Sequence, residues 1–233
     1  MSESPTASSR LGIVTIGQAP RSDLHDDLAT LLDENIEVVE RGALDSLTLE
    51  EIERRYPVGD QPQVLVSRMR DGRQVTIAEP DLEPLLDTAI RTMADDDGVD
   101  AIVVLCTGDL PDYNDLGVPV LSPRRLVRHG IQALFPAGRL LVMSPESRQK
   151  AHARMRWQAA GFHVETLSAS PYGDTAELEH AARQAASLEC DLLYLDCMGY
   201  TLSQRQRIAR LSGQRTVTPR QLVFSAANLL LGH

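Results

Sequence analysis

VDAIVVLCTGD at residues 99–109 and CDLLYLDCMGY at residues 190–200 are two copies of one pattern. The copies share an aspartate before an apolar run, and a cysteine and a glycine after it: Asp100 with Asp191, Cys106 with Cys197, and Gly108 with Gly199. Each apolar run is short and continuous, which is typical of a strand buried on both faces of a parallel sheet. The pattern therefore predicts two buried strands that each end in Cys-x-Gly.

The repeat continues in the same order after each cysteine. LSPRRLV at residues 121–127 matches VTPRQLV at residues 217–223, and each predicts a helix with a Ser or Thr cap and a proline in its first turn. A weaker pair, IVTIGQAPR at residues 13–21 and LLVMSPESR at residues 140–148, runs from a strand through a proline into a helix. The simplest interpretation is two related lobes.

Apolar runs alternate with amphipathic stretches along the chain, which predicts an α/β fold with parallel sheets. Two helices are predicted, at residues 22–32 and 80–93, and residues 64–79 predict a β-hairpin that turns around Asp71 and Gly72. The predicted strands are residues 11–17, 36–40, 101–106, 118–121, 140–143, 163–167, 192–197 and 216–217. We expect two pseudo-symmetric lobes, each a parallel sheet flanked by helices, with the active-site cleft between them.

The expected boundaries follow from these patterns. Residues 1–10 are small and polar and predict a disordered leader without the apolar core of a signal peptide. Residues 11–115 form the first lobe, which the segment 215–233 completes, and residues 116–214 form the second. The C-terminal stretch LVFSAANLLLG at residues 222–232 suits a core helix better than a dimer seam, although a homo-oligomer is also possible.

Composition excludes several classes of partner. The 33 acidic and 23 basic residues give a net charge of −10, so the chain lacks the basic surface that nucleic acids attract. No apolar run approaches the roughly 20 residues that cross a bilayer. These features predict a cytoplasmic protein that binds neither nucleic acid nor membrane.

No cofactor or metal is expected. Lys150 is the only lysine and lies in a charged helical stretch, which argues against a pyridoxal phosphate enzyme. The chain has no Gly-x-Gly-x-x-Gly or Walker sequence, and no two histidines have metal-ligand spacing.

Cys106 and Cys197 are the candidate catalytic residues. Ligands of open parallel sheets bind beyond the carboxyl ends of the strands, where both cysteines are predicted to lie. If the lobes face each other, one thiolate can remove a proton from a carbon while the opposite thiol returns one to the other face. We expect loop amides and helix N-termini to lower the pKa of both thiols. Cys190 starts a strand and is predicted to belong to the core.

These residues resemble the aspartate/glutamate/hydantoin racemase superfamily, whose members carry one catalytic cysteine after a strand in each of two lobes. LDCMGY keeps Cys197 and Tyr200 of that superfamily's Cys-Thr-His-Tyr segment but has Met198 and Gly199 between them. LCTGD keeps Cys106 but has Thr107 where those racemases have asparagine followed by threonine. Within the superfamily, TIGQAPR at residues 15–21, the hairpin and LDC-x-G most resemble the AroM family.

The residues expected to bind substrate lie at the strand ends and offer donors to a carboxylate: Gly17, Gln18, Arg21, Thr107, Gly108, Ser144, Gly199 and Tyr200. Gln18 and Arg21 have an equally weighted alternative, in which Arg21 pairs with Asp23 or another acid and the loop is structural.

The sequence thus predicts a cofactor-independent racemase or epimerase that acts on a small carboxylate-bearing substrate. One alternative is an isomerase or decarboxylase of the same superfamily, such as maleate isomerase or arylmalonate decarboxylase. The other is a binding or regulatory protein that keeps the cleft without turnover, an alternative that the missing histidine beside Cys197 supports.

Overall fold

The structure is a computed structural model that describes residues 8–61, 63–109 and 111–232. In chain order its strands are β1 (Ser9–Thr15), β2 (Ile36–Gly42), β3 (Val64–Arg68), β4 (Gln74–Ala78), β5 (Ala101–Leu105), β6 (Val120–Leu121), β7 (Arg139–Ser144), β8 (His163–Ser168), β9 (Leu192–Leu195) and β10 (Thr216–Val217). Its α-helices are α1 (His25–Leu31), α2 (Leu49–Arg55), α3 (Glu79–Asp96), α4 (Pro123–Leu134), α5 (Lys150–Ala159), α6 (Thr175–Ala185), α7 (Leu202–Ser212) and α8 (Pro219–Leu231).

Eight of these ten strands form two parallel four-stranded sheets of the same topology. The first has the order β2-β1-β5-β6 and the second, read from the opposite edge, β8-β7-β9-β10. Strands β1 and β7, and likewise β5 and β9, therefore occupy equivalent central places, as the repeat predicts. The α/β fold with two pseudo-symmetric lobes is confirmed, and every predicted strand is present among the described residues.

After the edge strand of each sheet the chain crosses to the other lobe, where it forms a helix. Helix α4 follows β6 of the first sheet, but its Val127 and Ile131 pack with Leu140 and Trp157 of the second lobe. Helix α8 follows β10 of the second sheet, and its apolar face packs on the first: Val223, Phe224 and Ala227 against Leu11, Ala101 and Val103. This reciprocal exchange ties the two lobes together. The opposite face of α8 leaves Leu229 86% exposed.

The sheets extend past the boundaries expected from the sequence. Val120–Leu121 pairs with β5 in the first sheet, whereas the second lobe was expected to begin at residue 116. Thr216–Val217 pairs with β9 in the second sheet, whereas residues 215–233 were expected to complete the first lobe. Each crossover thus occurs after its edge strand, at the start of α4 or α8.

The last two residues of the expected leader, residues 1–10, belong to the first strand. Ser9 and Arg10 already belong to β1, where the Arg10 backbone N–H donates to the Asp100 carboxylate at 2.7 Å. The backbone N–H of Asp100 in turn donates to the Arg10 carbonyl at 2.8 Å. These two bonds hold Arg10 beside the start of β5, although the composition of residues 1–10 is small and polar. Residues 1–7 lie outside the described part of the chain.

The predicted hairpin is present as the antiparallel pair β3 and β4, with Gly72 at a φ of 94° in its turn. Glycine suits this left-handed conformation because it has no Cβ. The hairpin leads directly into α3, whose Leu82, Leu86 and Ile90 pack into the first lobe's core. Within the described residues, no helix is both long and apolar enough to span a membrane.

Candidate functional site

Cys106 and Cys197 have the same local structure in the two lobes. Cys106 directly follows β5, and Cys197 follows β9 after one intervening residue. The backbone N–H of Gly108 donates to the Cys106 sulfur at 3.2 Å, and that of Gly199 donates to the Cys197 sulfur at 3.3 Å. Each Cys-x-Gly turn therefore folds back so that an amide dipole points at its own sulfur.

The two strand ends meet at the junction of the lobes. The hydroxyl of Thr107 donates to the backbone carbonyl of Asp196 at 3.4 Å, which joins the loop after β5 to the end of β9. Cys197 is close enough that its charge raises the pKa of Cys106. The repeat has brought the two thiols into one region of the molecule.

Burial sets the pKa of both thiols in the direction opposite to the expected one. Desolvation raises the pKa of Cys106 to about 12 and that of Cys197 to about 11, and the two glycine amides offset this only in part. Nearby charged residues make the two pKa values differ. Asp196 raises the pKa of both thiols, Glu79 also raises that of Cys106, and Arg21 and Arg220 lower that of Cys197.

This burial predicts a steep pH dependence of thiol modification. Because only the thiolate alkylates, labelling of native Cys106 and Cys197 by iodoacetamide should rise about tenfold per pH unit from pH 7 to 10, with Cys197 ahead. Mass spectrometry of the labelled peptides measures both rates in one sample. In the unfolded chain both thiols lose their protons near the ordinary pKa of 9.0, whereas in the folded protein they keep them to a higher pH. The free energy of unfolding should therefore fall as the pH rises past 9. Rapid labelling of both thiols at pH 7 would contradict this prediction.

Arg21 lies at the site but its guanidinium is occupied. Its side chain is buried and makes a bidentate pair with Asp23, with both N–O distances 2.8 Å. The same group donates to the hydroxyls of Thr15 and Tyr172, each at 3.0 Å. These bonds raise the pKa of Arg21 despite its burial and hold that of Asp23 below its ordinary value. Arg21 therefore acts on Cys197 as a fixed nearby positive charge.

Gln18 and Gly17 shape the loop after β1. The Gln18 amide donates to the carbonyls of Leu44 and Leu47 at 3.1 and 2.8 Å, and its oxygen accepts the N–H of Arg70 at 3.0 Å. A Cβ at Gly17 would collide with the backbone carbonyl of Arg68. Gln18 therefore fastens the hairpin to the loop after β1, Gly17 allows the hairpin backbone to approach closely, and the Gln18 side chain has no N–H left for a ligand.

The other expected binding residues fall into two groups. Thr107 and Gly108 line a cavity at the mouth of the site. Ser144 and Tyr200 are buried, and the Tyr200 hydroxyl donates to the Ala169 carbonyl at 2.5 Å. Gly199 packs under Tyr172, where a Cβ would collide with the tyrosine hydroxyl.

Cys190 is half-buried at the start of the second lobe's central strand and packs against that lobe's core, away from the two Cys-x-Gly turns. Among the described residues, no three His, Cys, Asp or Glu side chains come together in a way that could hold a metal ion.

Several charged residues that the sequence did not single out surround the cysteines. Arg220, fully buried in the first turn of α8, donates to the carbonyls of Met198 and Gly199 at 2.7 and 3.0 Å. It also pairs with Asp27 at 2.6 Å and with Asp23 at 3.3 Å. The sequence does contain one signal for Arg220: it is the charged residue that the two Ser/Thr-Pro-Arg segments have in common.

Two adjoining cavities lie beside the loop that carries the first cysteine. One, of about 370 Å³, is lined by Cys106 together with Leu65, Leu86 and Tyr113. The other, of about 50 Å³, has Thr107, Arg124 and Arg156 among its walls. Both share Glu79, whose carboxylate accepts the backbone N–H of Asp109 at 3.2 Å.

Solved structures share this two-lobed fold. A maleate isomerase from Pseudomonas putida S16 is 14% identical and has a TM-score of 0.60, covering 96% of this chain and 92% of its own. An allantoin racemase from Klebsiella pneumoniae is 14% identical with a TM-score of 0.61, covering 97% and 89%. A glutamate racemase from Bacillus anthracis is 14% identical with a TM-score of 0.62, covering 98% and 83%. At this identity the likeness shows the fold alone, a two-lobed α/β fold that this chain shares with these two racemases and this isomerase.

A comparison of the sequence with family models gives a narrower assignment than the fold. The family model described as AroM protein matches residues 11–231, and the chain belongs to the AroM family. No curated protein sequence matches the chain.

Proposed function

We propose that the protein is a cofactor-independent racemase or epimerase that acts on a small carboxylate-bearing substrate through Cys106 and Cys197. The thiolate of one cysteine removes the proton from a carbon beside the carboxylate and becomes a thiol. The electron pair of the broken C–H bond remains on the substrate as an enolate-like anion. The opposite cysteine donates its proton to the other face, so the configuration inverts and no co-reactant is consumed.

One observation carries the proposal: the two cysteines have equivalent surroundings in two lobes whose strand ends touch. Each sulfur accepts an N–H from the glycine two residues on, and the loop of the first cysteine is bonded to the residue before the second. An acid and a base that exchange roles for the two enantiomers require such equivalence. The names of the similar structures, racemases and an isomerase, support the same class of chemistry.

The charges around the two sulfurs distinguish them. Burial and the charge of Asp196 raise both pKa values, but Arg21 and Arg220 lower that of Cys197 while Glu79 raises that of Cys106 further. Cys197 is therefore expected to lose its proton at a lower pH than Cys106, while in the proposed mechanism each thiolate serves as the base for one of the two enantiomers.

The proposal is tested by proton NMR in D₂O. The reduced protein is incubated with D- and L-amino acids, hydantoins, and hydroxy and dicarboxylic acids, and loss of the α-proton signal is followed. We expect exchange with a restricted set of these acids, absent in a Cys106→Ala/Cys197→Ala double variant. An equal loss of signal with that double variant, or none with the wild-type protein, would overturn the proposal.

A second candidate is a protein that binds a small acid without turning it over. The observation that favours it is the burial of both thiols, with pKa values well above 9.0. Saturable binding of a panel member without α-proton exchange is the result that would select it.

A further inference from the structure

The β3–β4 hairpin is packed into the first lobe by one of its two faces. Leu65, Val75 and Ile77 lie on that face and belong to the core of the first lobe. Because alternate residues of a strand point to opposite faces, Val64 and Val66 lie on the other face. They are only 2% and 4% exposed, yet among the described residues they belong to no core cluster of either lobe. The second face is thus covered at the edge of the lobe and not by its core.

Two hydrogen bonds join the hairpin to the second lobe within the described part of the chain. The side-chain amide of Gln149 donates to the Val64 carbonyl at 2.8 Å. The hydroxyl of Ser170 donates to the side-chain oxygen of Gln74 at 2.6 Å. The hairpin therefore spans the two lobes, packed into one by apolar side chains and joined to the other by uncharged polar groups.

The cleft between the lobes is closed over the cysteines. The cavity that has the start of β3 and part of α5 among its walls measures about 50 Å³, room for roughly three to five water molecules. The adjoining cavity of about 370 Å³ is lined by Cys106 but, among the described residues, by none of the second lobe. Neither cavity is lined by Cys197, which is 9% exposed. A ligand or reagent thus reaches the Cys197 sulfur when the cleft widens.

The lobes are held more firmly at α4 and α8 than at the hairpin. At α4 and α8 they exchange helices, and side chains such as Val127 and Phe224 are fully buried in the lobe that the helix joins. At the hairpin they are held by hydrogen bonds, and the net contribution of a hydrogen bond is smaller than that of a fully buried apolar side chain. The widening that costs least therefore pivots about α4 and α8 and separates the hairpin from the second lobe.

We propose that the bonds from Gln149 and Ser170 to the hairpin form a clasp, which holds the cleft closed over the two cysteines and breaks to admit a ligand. The hairpin moves with the first lobe, because one of its faces is part of that lobe's core. This inference goes beyond the proposed function and holds for any small molecule that must reach Cys197, whether or not it is turned over.

The clasp can be removed without changing the charges at the site. Two other bonds cross between the lobes, from Arg21 to Tyr172 at 3.0 Å and from Thr107 to the Asp196 carbonyl at 3.4 Å. These residues adjoin the cysteines, so their substitution would also change the surroundings of the sulfurs. The clasp bonds are made by uncharged groups, and their loss therefore tests opening by itself.

The test compares the double variant Gln149→Ala/Ser170→Ala with the double variant Gln132→Ala/Ser187→Ala in the full chain. Gln132 and Ser187 donate to backbone carbonyls at 3.1 and 2.8 Å within the second lobe, so this control loses the same chemical groups away from the hairpin. Alkylation by iodoacetamide is followed by mass spectrometry of the labelled peptides at one fixed pH.

We expect Cys197 to label about 5- to 100-fold faster in the clasp variant than in the wild-type protein, the effect of removing two hydrogen bonds from the closed state. In the control variant it should label at the wild-type rate. Half-buried Cys190 is the internal reference, and its rate should be the same in all three proteins. Equal Cys197 rates in the two double variants would overturn the inference. An equal rise at Cys190 would do so as well, because it would show unfolding rather than opening.

A reversible cross-link tests the same motion in the opposite direction. Gln74→Cys/Ser170→Cys replaces two side chains that are in contact, and Cys190→Ala removes the half-buried native thiol. A short bifunctional methanethiosulfonate joins the two new thiols, and reduction releases them. Cys197 labelling should fall below its rate before cross-linking and return to that rate after reduction. Unchanged labelling in the cross-linked protein would contradict the clasp.

The outcomes separate this inference from the proposed function. Faster Cys197 labelling in the clasp variant, without α-proton exchange by the wild-type protein, would retain the clasp and reject the racemase. Exchange by the cross-linked protein at the rate of the reduced protein would retain the racemase and reject the clasp.

Discussion

Cys106→Ala and Cys197→Ala are each expected to lower the racemisation rate by about 10²- to 10⁴-fold, the usual contribution of a positioned acid or base. In the proposed mechanism, each variant lacks one of the two groups that act on opposite faces of the carbon. The remaining cysteine can still exchange the proton of one enantiomer. Residual exchange should therefore be confined to one enantiomer in Cys106→Ala and to the other in Cys197→Ala. Chiral chromatography and α-proton NMR in D₂O measure the two rates.

Cys190→Ala is the control for this experiment. Cys190 is half-buried, and the charges that raise or lower its pKa are Asp191 and Arg139 rather than the site residues. Its substitution should leave racemisation within about twofold of wild type. If one of the two candidate cysteines proved dispensable, the chemistry would be that of a single-cysteine isomerase or decarboxylase.

Arg220→Met is expected to destabilise the protein by about 3–5 kcal/mol, the range found when one partner of a buried ion pair is removed. The substitution leaves the buried carboxylate of Asp27 without its cation and the carbonyls of Met198 and Gly199 without a donor. For a chain of this length the melting temperature should fall by about 6 to 20 °C. Urea unfolding followed by circular dichroism measures the free energy.

Two further variants are compared with the loss of stability in Arg220→Met. Arg220→Lys keeps the charge but not the planar fork that spans both carbonyls and both acids, so an intermediate loss is expected. Arg210→Met removes an exposed arginine from the last turn of α7, where the helix dipole is the main interaction, and should cost no more than about 1 kcal/mol. Comparable losses for Arg220→Met and Arg210→Met would show that the buried network contributes little.

The network also connects stability with the site. Arg220 holds the loop that carries the Gly199 amide, and this amide donates to the Cys197 sulfur. Because α8 packs on the first lobe while it binds this second-lobe loop, separation of the lobes would release the loop. We expect conditions that unfold α8 to alter Cys197 labelling before Cys190 labelling.

The amino-acid sequence determined the α/β class, the two related lobes and the equivalent places of Cys106 and Cys197. These features are encoded locally, by apolar runs of strand length, by proline and a Ser or Thr at helix starts, and by repetition of the same order. The hairpin was predictable for the same reason, since its turn around Gly72 lies between two alternating runs.

Only the tertiary structure decided what those residues contact. The sequence places Gln18 and Arg21 in a loop at a strand end, whether they bind substrate or only shape the loop. The folded structure shows their partners: Gln18 donates to the carbonyls of Leu44 and Leu47, and Arg21 pairs with Asp23. Burial, which raises the pKa of both thiols, is likewise a property of the packed lobes. Arg124 and Arg220 occupy the same place in a repeated motif, yet Arg124 is half-buried at the wall of a cavity and Arg220 is fully buried among acids. Sequence repetition fixes a backbone position, whereas charge partners and solvent exposure depend on which surfaces of the two lobes meet.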